Sequence, residues 1–397
     1  MTQRSDSDPE KRRMKGQTEI KHEILEKYLH PWLIKITEVS SEVRYIDGFA
    51  GWGRYEDGAP GSPLIAMNVA KEMINEDYGR IASKLDDLSC TFIEANSENF
   101  EDLVRVVSEY QGDCPRQIES ECRKETFQDF AEEFIQEGDK DRLPAFIFVD
   151  PFGFSGLPFD VVNRLLNLRS TGIEMFITFV GGEMARFLES QSHAKAITEI
   201  LGTEKWRKKV SPDFSKEENV GVLLQIYEEQ LRSVAGVEYV WPFRMSREAK
   251  DETVYHLVHA TNHFDGFKIM KDIMFNAGAG DKFAYLGPEH YPYLNEQQSL
   301  SEFDPEDERQ TDRRIEKLAN ILHDRFAGRC VSFWDVMEET YQETSLIEKH
   351  YRKACKLIDN QSRGEIINHP KRPNGTKQGL HYDDEIMFRR TKSIADF

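Results

Sequence analysis

The short apolar run Tyr45-Ile46-Asp47 is followed by Gly48, Gly51 and Gly53 within the segment YIDGFAGWGRY. A carboxylate closing a strand, with glycines in the loop behind it, suits a ligand that approaches main-chain amides more closely than a Cβ allows. The spacing is GxxGxG rather than the GxGxxG of pyrophosphate binding, and no Lys-Ser/Thr follows, which excludes a P-loop. A second run ends FIEA, placing Glu94 where an acidic side chain takes both hydroxyls of a ribose. Asp47, the three glycines and Glu94, in that order, fit S-adenosylmethionine, a nucleoside cofactor without a phosphate. The plainer reading is a tight turn and a solvated strand end. The right order on adjacent strands favours the cofactor. Glu125, just past a third run, stands where such folds offer a carboxylate to the adenine amine, although a charged helix start, Lys124-Glu125-Thr126, explains it equally well.

A fourth run, AFIFVD, leads into Pro151-Phe152-Gly153-Phe154. Methylating the amino group of a base calls for acceptors on the exocyclic nitrogen and a flat face for the extruded ring. Asp150 and the Pro151 carbonyl supply acceptors, and Phe152 or Phe154 a stacking face. The competing reading is a strand end with core phenylalanines. Cytosine-C5 chemistry needs a Pro-Cys nucleophile, and the chain offers only the reverse order, Cys114-Pro115.

The elements that position these residues alternate. Strands are expected over 43–47, 90–95, 116–122, 145–150 and 175–180, with helices over 63–75, 97–110, 127–136 and 159–168. Ser62-Pro63 makes a helix start. An amphipathic helix from Glu19 to Val39 precedes them, with Pro31 expected to kink or split it. A helix over 220–234, strands over 238–243 and 254–261, and a helix over 264–275 follow. Nearly all-apolar strands such as FIFV mean a parallel sheet covered on both faces. The fold class is therefore α/β, a doubly wound Rossmann-like methyltransferase sheet. Residues 1–15 are expected to be a disordered arm, 16–290 the cofactor domain, 291–310 a linker and 311–397 a small winged-helix-like domain. That last domain is read as helices over 311–324, 332–341 and 346–359 and a β pair joined by the basic loop KRPNGTKQG. A helical packing or dimerisation module is the alternative.

Several separated blocks resemble one family. Lys21-His22 with Ile24, Leu25 and Tyr28, then YIDGFAGWGRYEDGAPGSPLIA, FIEAN, FVDPFGF and VYHLVHATNHFDGFKIMKDIM, are similar to the three-Cys-motif partner protein family (TcmP), over residues 20–287. The family name implies a partner bearing a three-cysteine motif. More loosely, the same blocks resemble ribosomal-RNA adenine-N6 methyltransferases. That resemblance implies that Lys21 and His22 stand near the methionine end of the cofactor and Asp150 on the target amine. Phe152 and Gly153 stand where such enzymes carry a second proline and an aromatic. Without the resemblance, Lys21 and His22 read as the solvated face of a helix.

The net charge of the 397 residues is -19, unevenly placed. From Thr311 onward 16 Lys and Arg face 14 Asp and Glu, whereas the preceding 310 residues hold 36 against 57. A nucleic-acid partner is then engaged by the tail or by a local groove. Arg352, Lys353, Lys356, Lys371, Arg372 and Lys377 are the candidate phosphate contacts, a solvated charged face being the alternative. Five cysteines without a CxxC pair give no disulfide scaffold and no metal site. No apolar run is long enough for a membrane and no signal segment is visible, so a cytoplasmic protein is expected. The leading expectation is a methyltransferase acting on a nucleic-acid amino group, adenine N6 favoured. The second is a catalytically inactive component that binds nucleic acid or a partner. A nicotinamide oxidoreductase ranks last, because Glu94 lies 41 residues past Gly53, roughly twice the usual interval of about 20.

Overall fold

The computed structural model describes residues 16–76, 81–137, 143–151, 153, 157–168, 172–247, 252–278, 284–285, 305–367 and 379–390. It divides into two units, Met1–His290 and Tyr291–Phe397. In the first, helix α1 (Gly16–Ile36) leads into β1 (Glu42–Asp47), α2 (Ser62–Glu76), β2 (Asp87–Ile93), α3 (Ser97–Gln111), β3 (Ile118–Arg123), α4 (Phe127–Glu137), β4 (Ala145–Val149), α5 (Phe159–Leu166) and β5 (Ile173–Phe179). Three short helices follow, α6 (Gly181–Met184), α7 (Ala194–Leu201) and α8 (Trp206–Lys209), then α9 (Lys216–Ser233), β6 (Tyr239–Arg247), β7 (Glu252–Thr261), α10 (Phe264–Ala277) and β8 (Ala284–Tyr285).

The strands form one sheet in the order β3-β2-β1-β4-β5-β7-β6-β8. The first five are mutually parallel and β7 runs antiparallel to both its neighbours. This is the doubly wound Rossmann-like sheet expected of the alternation. Every residue of β4 and β5 is buried, because each strand face carries a helical layer. On one face Phe146 packs against Tyr28 and Trp32 of α1, with ring centroids 5.4 and 5.7 Å apart. On the other, Ile147, Val149, Met175 and Ile177 join Phe130, Val162, Ile197 and Tyr227 in one core. Each such fully buried side chain contributes about 1.5–3 kcal/mol.

Three expectations need correction. Pro31 does not split α1, which is one helix from Gly16 to Ile36. A proline removes a single main-chain donor, and Trp32, Leu33 and Ile36 beyond it are buried and hold the last turn in place. Before the expected linker an unexpected strand, β8, pairs Ala284 and Tyr285 in parallel with Arg244 and Met245. The end of the expected linker is helical, since a helix runs Pro305–Phe326. Proline at the first position followed by acidic residues favours such a start. Helix α9 begins at Lys216, four residues earlier than the periodicity suggested, because Ser215 and Glu218 form a reciprocal capping box.

A buried polar knot ties α1 to the sheet. The Tyr28 hydroxyl donates to Glu174 Oε2 of β5, and His259 Nε2 of β7 lies 3.1 Å from the same oxygen. A Cβ on Gly266 would stand 2.8 Å from Tyr28 Oη and 3.0 Å from Glu174 Oε2, so only glycine lets α10 approach. Glu174→Ala leaves two buried polar groups without an acceptor, each costing about 1–3 kcal/mol. Urea unfolding is therefore expected to show a loss of about 3 kcal/mol, with a smaller loss for Glu174→Gln; equal midpoints for wild type and Glu174→Ala would refute this.

The second unit is a winged helix-turn-helix. The helix Pro305–Phe326 is followed by β9 (Cys330–Ser332), helices Phe333–Thr340 and Glu348–Asn360, and the strands β10 (Gly364–Ile367) and β11 (Glu385–Phe388). Strand β9, absent from the sequence reading, completes an antiparallel sheet in the order β10-β11-β9. Residues 1–15 and the greater part of 291–310 lie outside the described residues.

Candidate functional site

The strand order reverses between β1 and β4, and two groups of side chains gather at the carboxyl edge around that point. Asp47, the last residue of β1, is fully buried. Its Oδ1 accepts from the Phe49 N–H at 3.2 Å, and among the described residues Oδ2 has no hydrogen-bond partner. Burial pushes this carboxyl up to about 7, against the Ser62 and Phe49 hydrogen bonds that pull it down. Asp150 follows β4 directly. Its Oδ2 is paired with Lys21 Nζ and its Oδ1 accepts from Thr178 Oγ1 at 2.6 Å. Burial alone would raise the Asp150 carboxyl; the Lys21 ammonium and the Lys21 and Thr178 hydrogen bonds outweigh it and hold the group below its ordinary value. The Lys21 side chain is 6% exposed and that of Asp150 26%, so the pair opens to solvent on the carboxylate side.

His22 stands beside this pair. Burial, then the neighbouring ammonium, push its imidazole down to about 3, so it is neutral, and Nδ1 has no hydrogen-bond partner among the described residues. Its ring lies 5.8 Å from that of Tyr55, whose hydroxyl is pushed up by burial and by Asp150 and Asp47. Lys21 and His22 are thus buried against the sheet, not on a solvated helix face. The glycine loop is fastened to both neighbouring strands. The Gly48 N–H donates to the Phe148 carbonyl and the Ala50 N–H to that of Ile93, each at 2.9 Å. A Cβ on Gly48 would meet the Phe127 ring at 2.6 Å, whereas Gly51 is required by its φ of +61°, with open space around it. Gly53, also at positive φ, accepts from the Gly61 N–H at 2.9 Å.

Outside the ends of β1, β2 and β3 lies a cleft of about 330 Å³, lined by Gly48, Phe49, Glu94, Asn96, Glu125 and Phe127 among others. Glu94 is buried, and its Oε1 accepts from the Asn96 N–H at 2.6 Å, which orients the carboxylate. Glu125 reaches the cleft while paired with Arg123 Nε at 2.6 Å. The structure therefore brings Gly48, Glu94 and Glu125 together in one cleft and Lys21, His22, Asp47 and Asp150 in one electrostatic cluster. Pro151 is buried behind Asp150; Phe152 and Phe154 lie outside the described residues. The sequence reading missed Thr178 and Tyr55. A lone threonine in the apolar run MFITFV was the available signal for the first.

The cleft fits a nucleoside. Glu94 offers carboxylate oxygens and Phe49 and Phe127 offer aromatic carbon to it, while Asp47, buried at the adjoining end of β1 and not part of the lining, has an oxygen with no hydrogen-bond partner among the described residues. Among the described residues no His, Cys, Asp and Glu group is suited to a metal ion, and no helix is long and apolar enough to cross a membrane.

Asp47 also sets a pH dependence. Its folded-state carboxyl lies near 7, above the unfolded value of about 3.9. The stability it contributes is complete below about pH 4 and is lost as pH rises through 7. That difference corresponds to about 4 kcal/mol at most. Asp47→Asn is thus expected to gain stability relative to wild type between pH 4 and 8; chemical unfolding with a pH-independent difference between the two would contradict this.

In the second unit, Lys353 and Lys356 are exposed on the helix Glu348–Asn360, and Lys349 joins them on the same face at spacings of four and three. Arg352 does not belong with them. It pairs with Glu348 and lies over the rings of Phe333 and Tyr382, 4.9 and 5.3 Å from their centroids. Position 352 falls on the inward shoulder of the helix, where a guanidinium is held by packing as well as charge. Lys371, Arg372 and Lys377 lie outside the described residues.

The family described as GMT-like wHTH domain matches residues 292–371. No curated protein matches the sequence. Among solved structures the chain is similar to the spermidine synthase of Thermotoga maritima, at 9% identity and a TM-score of 0.32, over 64% of this chain and 63%, less than two thirds, of that one. It is also similar to a Staphylococcus aureus protein assigned as a caffeoyl-CoA O-methyltransferase, at 12% identity and a TM-score of 0.26, over 58% of this chain and 80% of that one. A third is a Galdieria sulphuraria protein assigned as a sarcosine dimethylglycine methyltransferase, at 10% identity and 0.25, over 59% and 84%.

Proposed function

We propose that the first unit is an S-adenosylmethionine-dependent methyltransferase acting on an amino group of a nucleic-acid base, adenine N6 favoured, and that the winged unit helps bring the substrate. A three-Cys-motif protein is the proposed partner and the cytoplasm the proposed location. The observation that carries the reading is the cleft at the ends of β1–β3 holding Gly48, Glu94 and Glu125, with Asp47 and Asp150 together at the ends of β1 and β4. Glu94 would take the ribose, Glu125 the adenine amine, and Asp47 the cationic end of the cofactor. The cofactor supplies the methyl group on a sulfonium. Asp150 and the Pro151 carbonyl would orient the acceptor amine, whose nitrogen bonds to the methyl carbon as the carbon–sulfur bond breaks; its proton leaves to solvent. Calorimetry with S-adenosylhomocysteine and mass spectrometry of nucleosides from cells with and without the gene test this. Absence of binding, or an unchanged nucleoside profile, would reject it.

One observation favours a second reading, a methyltransferase-fold component without catalysis. Both Asp150 oxygens are already engaged, by Lys21 and Thr178. Cofactor binding with no methyl incorporation into any nucleic acid would select this reading.

The lysines of the winged unit give a separate expectation. Each phosphate contact on duplex DNA contributes about 0.9 to the slope of log affinity against log salt. Lys353→Gln with Lys356→Gln is expected to flatten that slope by about 1.8, measured by fluorescence anisotropy; an unchanged slope would assign both lysines to a solvated face.

A further inference from the structure

The first 310 residues hold 36 Lys and Arg against 57 Asp and Glu, a body that repels polyanions. One cleft in the first unit departs from that sign. It measures about 520 Å³ and lies between the segment after α6 and the loop that joins α8 to α9. Among the described residues its charged lining is Arg186, Arg207, Lys216 and Glu189.

We propose that this cleft binds the sugar-phosphate backbone of a single-stranded nucleic-acid segment, the acceptor strand of the methyl transfer proposed above, on which reading the inference rests. The lining has the two components that such binding uses, cations for the backbone and, at Phe214, an aromatic face for a base, while Trp206 is buried beneath Arg207. Phe214 is 43% exposed at the rim, unusual for so large an apolar side chain in the first unit. Trp206 carries the Arg207 guanidinium 4.7 Å over its ring. Chemistry on a base requires a strand that is single or has its base extruded, which fits a cleft rather than a broad duplex surface.

The floor of the cleft is fixed before any ligand arrives. Asn219 holds Ser211 from both sides, accepting from its N–H at 3.1 Å and donating to its carbonyl at 2.9 Å. Trp206 Nε1 donates to Thr198 Oγ1 at 3.0 Å. The cations differ in how firmly they are held. Lys209 on the same short helix is fastened to Glu229, both oxygens at 3.1 Å, and is not part of the lining. Arg207 meets Glu204 only at 3.9 Å, with its side chain 45% exposed, an exposed pair that contributes little and is readily exchanged for a phosphate. The cleft residue Arg186 lies three positions after Glu183, whose Oε2 would be 3.6 Å from a Cβ on Gly153, three residues after Asp150.

The test uses the full chain and a fluorescein-labelled oligothymidylate, with Arg207→Gln and Lys216→Gln combined. Single-strand affinity is expected to fall about tenfold at low salt, and the salt slope by about 1.4, at about 0.7 per contact on single strands. The same loss is expected in a Lys353→Gln, Lys356→Gln background, which separates the cleft from the winged unit. Phe214→Ala is expected to reduce ultraviolet cross-linking of the strand to the 206–214 segment. Unchanged strand affinity and slope in the Arg207/Lys216 variant, or a loss confined to a polyglutamate probe, would overturn the proposal. Calorimetry with S-adenosylhomocysteine on the same samples judges the methyltransferase reading separately. Strand binding lost with the cleft in a protein that binds no cofactor sinks that reading and leaves the cleft assignment standing.

Discussion

Replacing Asp150 by Asn is expected to lower methyl incorporation into nucleic acid about a thousandfold while S-adenosylhomocysteine affinity stays within about threefold of wild type. A preorganised group that acts mainly in the transition state contributes roughly 3–4 kcal/mol, and each 1.36 kcal/mol is about tenfold in rate. Asp150 has the required preorganisation, because Lys21 and Thr178 fix both oxygens and its outer side remains a quarter exposed. A companion variant separates chemistry from packing. In Lys21→Met the ammonium that holds the Asp150 carboxyl below its ordinary value is gone. The acid limb of the rate profile should then move to higher pH, since a desolvated carboxylate without its cation ionises later. Incorporation of labelled methyl into total nucleic acid, followed against pH, reads both variants. Undiminished incorporation by Asp150→Asn would remove this residue from the reaction.

Glu94→Ala is expected to weaken S-adenosylhomocysteine binding about a hundredfold. Two charge-assisted hydrogen bonds to a ribose, each contributing about 1.5–3 kcal/mol, are lost together. Glu94 is 8% exposed and its Oε1 is already oriented by the Asn96 N–H, so little side-chain freedom remains to be lost on binding. Glu94→Gln keeps the shape and one acceptor and is expected to lose about tenfold. Because Asn96 caps α3 and shares this turn, thermal unfolding of both variants without ligand shows whether the turn is intact. Unaltered affinity in Glu94→Ala, with the fold intact, would place the cofactor elsewhere or nowhere on this sheet.

Much of the sheet's carboxyl edge was legible along the chain. Strand ends are local events. FIFVD and FIEA announce where an apolar run stops and a carboxylate begins, and a parallel sheet places all such ends on one edge. The winged unit was legible as an order of helices and a β pair, whereas β9 and β8 were not. Strands of two or three residues carry no periodicity to detect and exist only because a neighbour offers an open edge. The packing of Arg352 was not legible for a related reason. A basic run shows how many cations a helix carries, while the face each one occupies depends on where Phe333 and Tyr382 pack. The cleft with Arg186, Arg207 and Lys216 joins residues thirty apart in the chain whose local charge is diluted by Glu189, Glu204 and Asp213.

By itself, then, the sequence determined the alternation of strands and helices and which residue types gather at the carboxyl edge of the sheet, because hydrophobic period and turn chemistry act over a few neighbours. Only the tertiary structure decided that Lys21 neutralises Asp150 across 129 positions, that Thr178 takes its other oxygen, and that Asp47 keeps one buried oxygen without a donor among the described residues. Those facts follow from strand order and the docking of α1 on the sheet. Charges separated along the chain acquire their strength only when folding removes the water between them.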